Sequence, residues 1–238
     1  MRNGGRKDPE DPTGINTFFV QMGQFIDHDL TLTPEHEHEP GKGCCGRNSD
    51  GLDWVWTGEY KKDKCIPIKI PVDDKYWRGS NRTCFDVRRS RPALRIPSCQ
   101  ANKTREQMDA ITHWLDASNV YGSTEQEMDS VRVSNSSFRL KVTSSPGQER
   151  RGRAQLPTCE AVKREERHSE INACEAPCDK ADCRVAGDQR VNEQPGLTAL
   201  HTVWVREHNR LAEQLHNLNS HWGPGRVFQV WSLSHLVT

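Results

Sequence analysis

Residues 186–215 read AGDQRVNEQPGLTALHTVWVREHNRLAEQL, and the second half of this stretch has the strongest helical pattern in the chain. Its apolar side chains recur at three- and four-residue steps, as one face of an α-helix requires. The positions concerned are Leu200, Val203, Trp204, Leu211, Leu215 and Leu218. Thr198 can cap such a helix, and Gly223-Pro224-Gly225 ends the pattern. The sequence therefore predicts one long helix that buries a single face.

The composition of the 238 residues excludes some classes of protein. Lys+Arg and Asp+Glu both number 33, so the formal net charge is zero, which argues against a basic nucleic-acid module and an acidic tail protein. Only 33% of residues are hydrophobic and the mean hydropathy is -0.86, yet seven tryptophans are present. A folded chain with much exposed loop, or an incomplete domain, has this composition.

Cysteines and sequons indicate the compartment. Nine cysteines and three N-x-S/T sequons, at Asn81, Asn102 and Asn135, are typical of a secreted glycoprotein with disulfides. No run approaches the roughly 18 apolar residues that span a bilayer, and the start MRNGGRKDPEDP has no apolar signal-peptide region. We therefore expect an internal piece of an extracellular protein, with no membrane span and no nucleic-acid partner.

The rest of the chain predicts two more helices separated by loops. One begins at Thr17, with apolar positions at Phe18, Phe19, Met22, Phe25, Ile26 and Leu30. A second pattern covers 106–121, and Gly122 is a natural stop. Residues 34–105 resemble long loops stapled by cysteines, in which only Ile66-Ile68-Ile70 alternates as a short strand does. The predicted fold class is mainly α-helical with little sheet.

Asp27-His28-Asp29 places an imidazole between two carboxylates at the end of the first helix. Successive helical residues project about 100° apart, so these three side chains cannot share one task. A histidine beside a carboxylate is a candidate acid-base residue. On spacing alone, a solvated helix end is the more probable interpretation.

Oxygen-bearing residues alternate in the run from Thr112 to Ser118. Thr112, Asp116 and Ser118 offer side-chain oxygens and Trp114 offers its carbonyl, a set that Ca²⁺ accepts if a partner such as Asp29 adds a carboxylate. The alternative is a helix end with local hydrogen bonds. This alternative is slightly favoured by the run alone.

Two further polar segments have competing interpretations. Arg190, in a turn before the long helix, could stabilise developing negative charge, or could form an ordinary surface pair with Glu193. Cys174, Cys178 and Cys183, with His168 nearby, favour disulfides over a zinc site, because zinc-binding cysteines are usually spaced more closely and in matched sets.

Three segments together resemble the animal haem peroxidase family. They are GQFIDHDLT (23–31), DASNVYGS (116–123) and the stretch 186–215 quoted above. The resemblance extends from about residue 15 to 228, which leaves 1–14 as an irregular lead-in and 229–238 as an unmatched tail. It implies a partial, C-terminally truncated haem peroxidase domain.

The resemblance assigns roles to particular residues. It implies that His28 is the distal acid-base residue, that Arg190 stabilises charge as the O–O bond breaks, and that Gln24 orients distal water and halide. Asp27 and Glu193 match the carboxylates that form ester bonds to a b-type haem. The calcium ligands that it implies are Asp29, Thr112, Trp114, Asp116 and Ser118.

The implied activity is reduction of hydrogen peroxide with oxidation of halide, thiocyanate or phenolic donors. Gln194 stands where some family members have a methionine linked to a haem vinyl group, so no such link is expected. The family's proximal histidine lies beyond the matched segments, and His235 is a poor substitute, so we expect the isolated chain to have weak or no activity.

Two other functions remain open. One is a non-enzymatic extracellular calcium-binding adhesion or matrix module derived from a peroxidase, although the presence of His28, Arg190 and Gln24 together favours an enzyme. The other is a disulfide-stapled calcium module unrelated to peroxide chemistry, which leaves Arg190 and Glu193 unexplained.

Overall fold

The structure is a computed structural model that describes residues 15–36, 43–47, 54–58, 61–93, 105–133, 137–143, 154–165 and 183–234. Contacts divide the chain into two compact units. The first combines the segment ending at Thr31 with the segment that starts at Ile111, and the second is Leu32–Ala110. The first unit contains the three motifs quoted above, and its described part is mostly helical.

Helices make up most of the described part of the first unit. They are α1 (Thr17–Leu30), α2 (Ser118–Tyr121), α3 (Glu125–Val131), α4 (Cys159–Glu165), a 3₁₀ helix (Gln189–Asn192), α5 (Pro195–Leu218) and α6 (Pro224–Ser234). Helix α5 packs against α1, α6 and the 3₁₀ helix. The mainly helical fold class is therefore confirmed.

Helix α1 begins at Thr17 as predicted, but it does not bury its whole apolar face. Phe25 is only 7% exposed, whereas Phe18 and Phe19 are 60% and 65% exposed. The helix ends where Thr31 turns extended and its N–H bonds the Asp27 carbonyl at 2.9 Å. Only the C-terminal half of α1, which carries Asp27-His28-Asp29, is thus fixed by core packing.

Helix α5 confirms the long predicted helix with different ends. It begins at Pro195, whose missing N–H costs nothing at a first helical position. Thr198 does not cap it, since this residue lies one turn inside and its hydroxyl donates to the Val191 carbonyl at 2.7 Å. The helix end predicted at Gly223-Pro224-Gly225 is wrong, because α5 already ends at Leu218 and Pro224 begins α6.

The predicted helix over 106–121 is wrong except for its last turn. Only Ser118–Tyr121 is helical, and Gly122 then ends it with φ 93° as expected. His113 and Ala117 both have positive φ, which a right-handed helix cannot contain. Asp29 accepts the N–H groups of Ala117 and Asn119, so a side chain from α1 takes the place of helical carbonyls.

The core of the first unit forms around α5, which packs against α1 and α6. Leu197, Val227 and Ala212 are fully buried, and Phe228 is 1% exposed. Tyr121 contacts both Phe228 and His208 edge to face, with ring centroids 5.9 and 5.4 Å apart. This packing joins α2 to the two C-terminal helices.

The second unit consists of short strands and loops, as predicted. Two antiparallel pairs are formed by β1 (Gly46–Arg47) with β2 (Trp54–Val55) and by β3 (Ile68–Lys69) with β4 (Cys84–Phe85). Disulfides Cys44–Cys65 and Cys45–Cys84 staple these loops. The strand predicted around Ile68 is therefore present.

Some predictions concern other parts of the chain. Cys183 is disulfide-bonded, in agreement with the preference for disulfides over zinc. Cys174, Cys178, His168, the lead-in 1–14 and His235 lie outside the described residues. None of the described helices is long and apolar enough to cross a membrane.

Candidate active site

The site forms where the C-terminal half of α1 meets the turn before α5. Gln24 Nε2 on α1 donates to Glu193 Oε2 at 2.9 Å, although 169 positions separate the two residues. The same carboxylate oxygen lies 3.7 Å from His28 Nε2. Three of the sequence-predicted residues are therefore in one cluster, joined by a single carboxylate.

Amide side chains fix the orientation of Gln24. Gln194 donates from Nε2 to the Gln24 carbonyl oxygen, and its own carbonyl accepts from Gln21 Nε2 at 2.9 Å. The Gln24 amide therefore points its NH₂ group toward Glu193. In the sequence, Gln194 only marked the place of a methionine, and its hydrogen bonds to Gln24 and Gln21 were not predicted.

His28 is buried at the base of the cluster and only 4% exposed. Burial is the main cause that lowers its pKa, and the positive charge of Arg190 lowers it further, whereas Asp188, Glu193 and Asp27 oppose the shift. The imidazole is thus held in its neutral form near pH 7 and can accept a proton. Its Nδ1 has no hydrogen-bond partner among the described residues.

Arg190 lies against the end of α1. Its Nη2 donates to the His28 carbonyl at 3.0 Å and its Nη1 donates to the Thr31 carbonyl at 2.8 Å. Its Nε bonds both oxygens of Asp188 at 3.0 and 3.1 Å. Arg190 does not form the surface pair with Glu193 that the sequence left open.

The three neighbours Asp27, His28 and Asp29 face three directions, as helical geometry requires. Asp27 is exposed and accepts from Thr31 Oγ1 at 3.2 Å. His28 faces Glu193, and Asp29 is buried toward α2. The solvated helix end considered for this motif is therefore wrong for His28 and Asp29.

Asp29 joins the predicted oxygen set around α2. Its Oδ1 accepts from Ser118 Oγ at 3.1 Å. Thr112 Oγ1 donates to Asp116 Oδ1 at 2.9 Å and lies 3.3 Å from Ser118 Oγ. Four of the predicted calcium ligands thus share one hydrogen-bonded network, while the Trp114 side chain is 72% exposed.

The oxygen set contains two carboxylates, and that of Asp29 is buried. Burial raises the pKa of Asp29, hydrogen bonds from Ala117, Asn119 and Ser118 oppose that shift, and the negative charge of Asp116 adds to it. The charge of Asp116 therefore disfavours the ionised form of the Asp29 carboxyl. Among the described residues, no group of three or more His, Cys, Asp or Glu side chains is placed to hold a metal ion, and this set contains only two carboxylates.

Sequence reasoning missed three polar residues of the site. Asp188 is 4% exposed beneath Arg190, and His201 is fully buried in an edge-to-face contact with Phe25, with ring centroids 5.0 Å apart. Asn119 Nδ2 donates to the Phe25 carbonyl at 2.8 Å and ties α2 to α1. Asp188 lies in the quoted AGDQR segment, so the pattern of Asp two residues before Arg was the available signal.

Comparison with known proteins identifies the family. The family model "Animal haem peroxidase" matches residues 2–230. This chain belongs to the animal haem peroxidase family, and haem is the cofactor that the family implies.

Individual relatives agree with this family. The chain is 38% identical over 221 residues to eosinophil peroxidase of Mus musculus, which covers 90% of the chain and 28% of the relative. It is 35% identical over 226 residues to chorion peroxidase of Aedes aegypti, covering 94% of the chain and 25% of the relative. The chain thus spans about a quarter of the length of these relatives.

Solved structures show the same fold. Peroxidase A from Dictyostelium discoideum has a TM-score of 0.62 and 23% identity, with coverage of 90% of this chain and 36% of that chain. A fatty acid alpha-dioxygenase of Arabidopsis thaliana has a TM-score of 0.56 and 16% identity, covering 96% of this chain and 26% of that one. At these identities the likeness concerns the fold alone.

Proposed function

We propose that this chain supplies the distal half of a haem peroxidase site, which reduces hydrogen peroxide and oxidises a halide, thiocyanate or phenolic donor. The observation that carries the proposal is the convergence of Gln24, His28 and Glu193 from α1 and from the turn before α5. These three residues come from two distant parts of the sequence. Their side chains are of the types that peroxide chemistry at a haem uses. Family membership supports the same assignment.

The residues present fit a haem. Asp27 is exposed and the Glu193 side chain is 41% exposed, so both carboxylates are accessible for ester bonds to a cofactor. They flank His28, whose Nδ1 is a buried polar atom without a partner among the described residues. When bound, the haem would supply the iron at which peroxide is reduced.

His28 is assigned the proton transfers. Its neutral imidazole can accept a proton from peroxide at Nε2, the nitrogen that faces Glu193, and can return that proton to the leaving oxygen. The histidine ring is held by burial and by its position near the end of α1. A fixed base needs little reorganisation at the moment of transfer.

Arg190 and Gln24 are assigned electrostatic roles. Arg190 carries a permanent positive charge beside His28 and would stabilise negative charge that develops as the O–O bond breaks. The NH₂ group of the Gln24 amide donates a hydrogen bond to Glu193 in this structure. The same group can donate to water or a halide ion.

Calcium is proposed at the oxygen network of Asp29, Asp116, Thr112 and Ser118, with the Trp114 carbonyl as a further ligand. The hydrogen bonds of 2.9–3.3 Å within this network bring its oxygens into one place. Because Asp29 directly follows His28, an ion here would fix the end of the helix that carries the base. The disulfides and the relatives support an extracellular location.

A reconstitution experiment tests the proposal. The chain, oxidised and supplied with calcium, is titrated with haemin, with and without imidazole as an external iron ligand, and peroxide consumption is then measured with a phenolic donor. We expect a sharpened Soret band, and turnover with imidazole that falls at least a hundredfold in His28→Ala. The matched control is His221→Ala, which removes an exposed histidine and should keep wild-type turnover.

Two results would contradict the proposal. Equal turnover in His28→Ala and His221→Ala would remove the catalytic assignment of His28. A spectrum of free haemin with intact calcium binding would instead support the non-enzymatic calcium-binding module.

A further inference from the structure

One buried carboxylate in the site has no part in the function proposed above. Asp188 has a side chain only 2% exposed, and it lies beneath Arg190. We propose that Asp188 is a positioning residue that holds the Arg190 guanidinium and the turn that carries it in their working orientation. The functional meaning of this role rests on the proposed function of Arg190.

Two groups of the Arg190 side chain, Nε and Nη2, bond the Asp188 carboxylate. Arg190 Nε bonds both Asp188 oxygens, at 3.0 and 3.1 Å, and Arg190 Nη2 donates to Asp188 Oδ2 at 2.5 Å. Bidentate arginine–carboxylate pairs fix the plane of the guanidinium as well as its distance. At 14% exposure of the arginine side chain, water competes little for these bonds.

Asp188 also controls the backbone of the turn. As N-cap of the 3₁₀ helix, its Oδ1 accepts from the Arg190 N–H at 2.7 Å. The Glu193 N–H in turn bonds the Arg190 carbonyl at 2.9 Å. The Asp188 carboxylate therefore fixes the Arg190 side chain and also the backbone that leads to Glu193, the residue that contacts Gln24 and His28.

A count of donors shows what remains available for chemistry. The guanidinium has five N–H groups. Nε–H and one Nη2–H bind Asp188, the other Nη2–H binds the His28 carbonyl, and one Nη1–H binds the Thr31 carbonyl. Among the described contacts, one Nη1–H is left to bond a ligand. Asp188 thus converts a flexible cation into a single oriented donor, the kind of preorganisation that transition-state stabilisation needs.

Substitutions at Asp188 can separate its two roles. Asp188→Ser keeps a hydroxyl that can cap the 3₁₀ helix, but this side chain is too short to hold the guanidinium. Asp188→Asn keeps a cap and an acceptor oxygen and removes the charge. The matched control is Glu213→Gln, which removes the carboxylate partner of Arg139 on the outer side of α5.

The first measurement is hydrogen exchange of the Arg190 Nε–H by ¹⁵N NMR on the haem-free chain, with Arg190→Lys to assign the signal. We expect exchange at least tenfold faster in Asp188→Ser, a smaller increase in Asp188→Asn, and no change in Glu213→Gln. Unchanged exchange in both Asp188 variants would overturn the proposal. If Asp188→Ser does not fold, Asp188→Asn decides the question alone.

The second measurement is kinetic, on the haem-loaded chain with imidazole supplied as the external iron ligand. We expect Asp188→Asn to lower kcat/KM for peroxide at least tenfold while KM for the phenolic donor stays constant. A wild-type chain without turnover would count against the proposed function, whereas the exchange measurement would still test the positioning role. Fast exchange with unchanged kcat/KM for peroxide would overturn the functional part of the inference.

Discussion

His201 should make the folded chain sensitive to acid. Its side chain is fully buried on α5, with the ring edge against Phe25, and neither ring nitrogen has a hydrogen-bond partner among the described residues. Burial lowers the pKa of His201 to about 4 from 6.5; His28 and Arg190 act in the same direction, and Asp188 acts against them. The imidazole is therefore neutral in the folded chain at pH values where it is protonated in the unfolded chain.

The sign and size of the effect follow from this difference. Because the folded pKa lies below the unfolded one, the unfolded chain binds the extra proton and stability is lost as the pH falls from about 6.5 toward 4. The lowering from 6.5 to about 4 corresponds to about 3 kcal/mol in full, of which about 2 kcal/mol is lost between pH 7 and pH 5.

Urea unfolding followed by tryptophan fluorescence, with disulfides intact, measures this loss. The free energy of unfolding should fall between pH 7 and pH 5 by about 2 kcal/mol more in the wild type than in His201→Phe. Comparing the pH dependence of each variant cancels the change in packing that the substitution itself causes. His221→Phe, at an exposed position, is the control, and His201→Leu serves if the phenylalanine does not fit. Equal pH dependence in the wild type and both His201 variants would refute the reasoning.

Four further predictions concern stability and modification. Gly187→Ala should lower the free energy of unfolding by about 1–3 kcal/mol, because a Cβ there meets backbone atoms of α2 and of Gly122 within 2.7 Å. Gly23→Ala, with open space around an exposed position of α1, should raise it by about 0.5–1 kcal/mol. Tyr121→Phe should cost about 1–3 kcal/mol in the same urea assay, since it removes the buried hydrogen bond between the Tyr121 hydroxyl and His208 Nδ1. Secretory expression should add an N-glycan at Asn81, a sequon residue exposed in a bend, and peptide mass spectrometry should find no glycan there in Asn81→Gln.

The sequence predicted the helices whose apolar periodicity is long. Helices α1 and α5 were found because their patterns extend over three turns or more. The segment before Ser118 misled the same reasoning, since its apolar residues have helical spacing but Trp114 and Leu115 are 72% and 62% exposed. Its backbone follows hydrogen bonds to Asp29, a partner from another part of the chain that periodicity does not report.

Some features of the candidate site follow from the sequence alone, and others depend on the tertiary structure. The divergence of Asp27, His28 and Asp29 was determined by the sequence alone, because it depends only on the 100° step of a helix. The family resemblance rested on motifs that are likewise local. The pairing of Gln24 with Glu193, the burial of Asp188 under Arg190 and the insertion of His201 behind Phe25 were decided by tertiary structure. These contacts depend on where α5 crosses α1, and the route of the chain between distant helices is set by the packing of the whole unit.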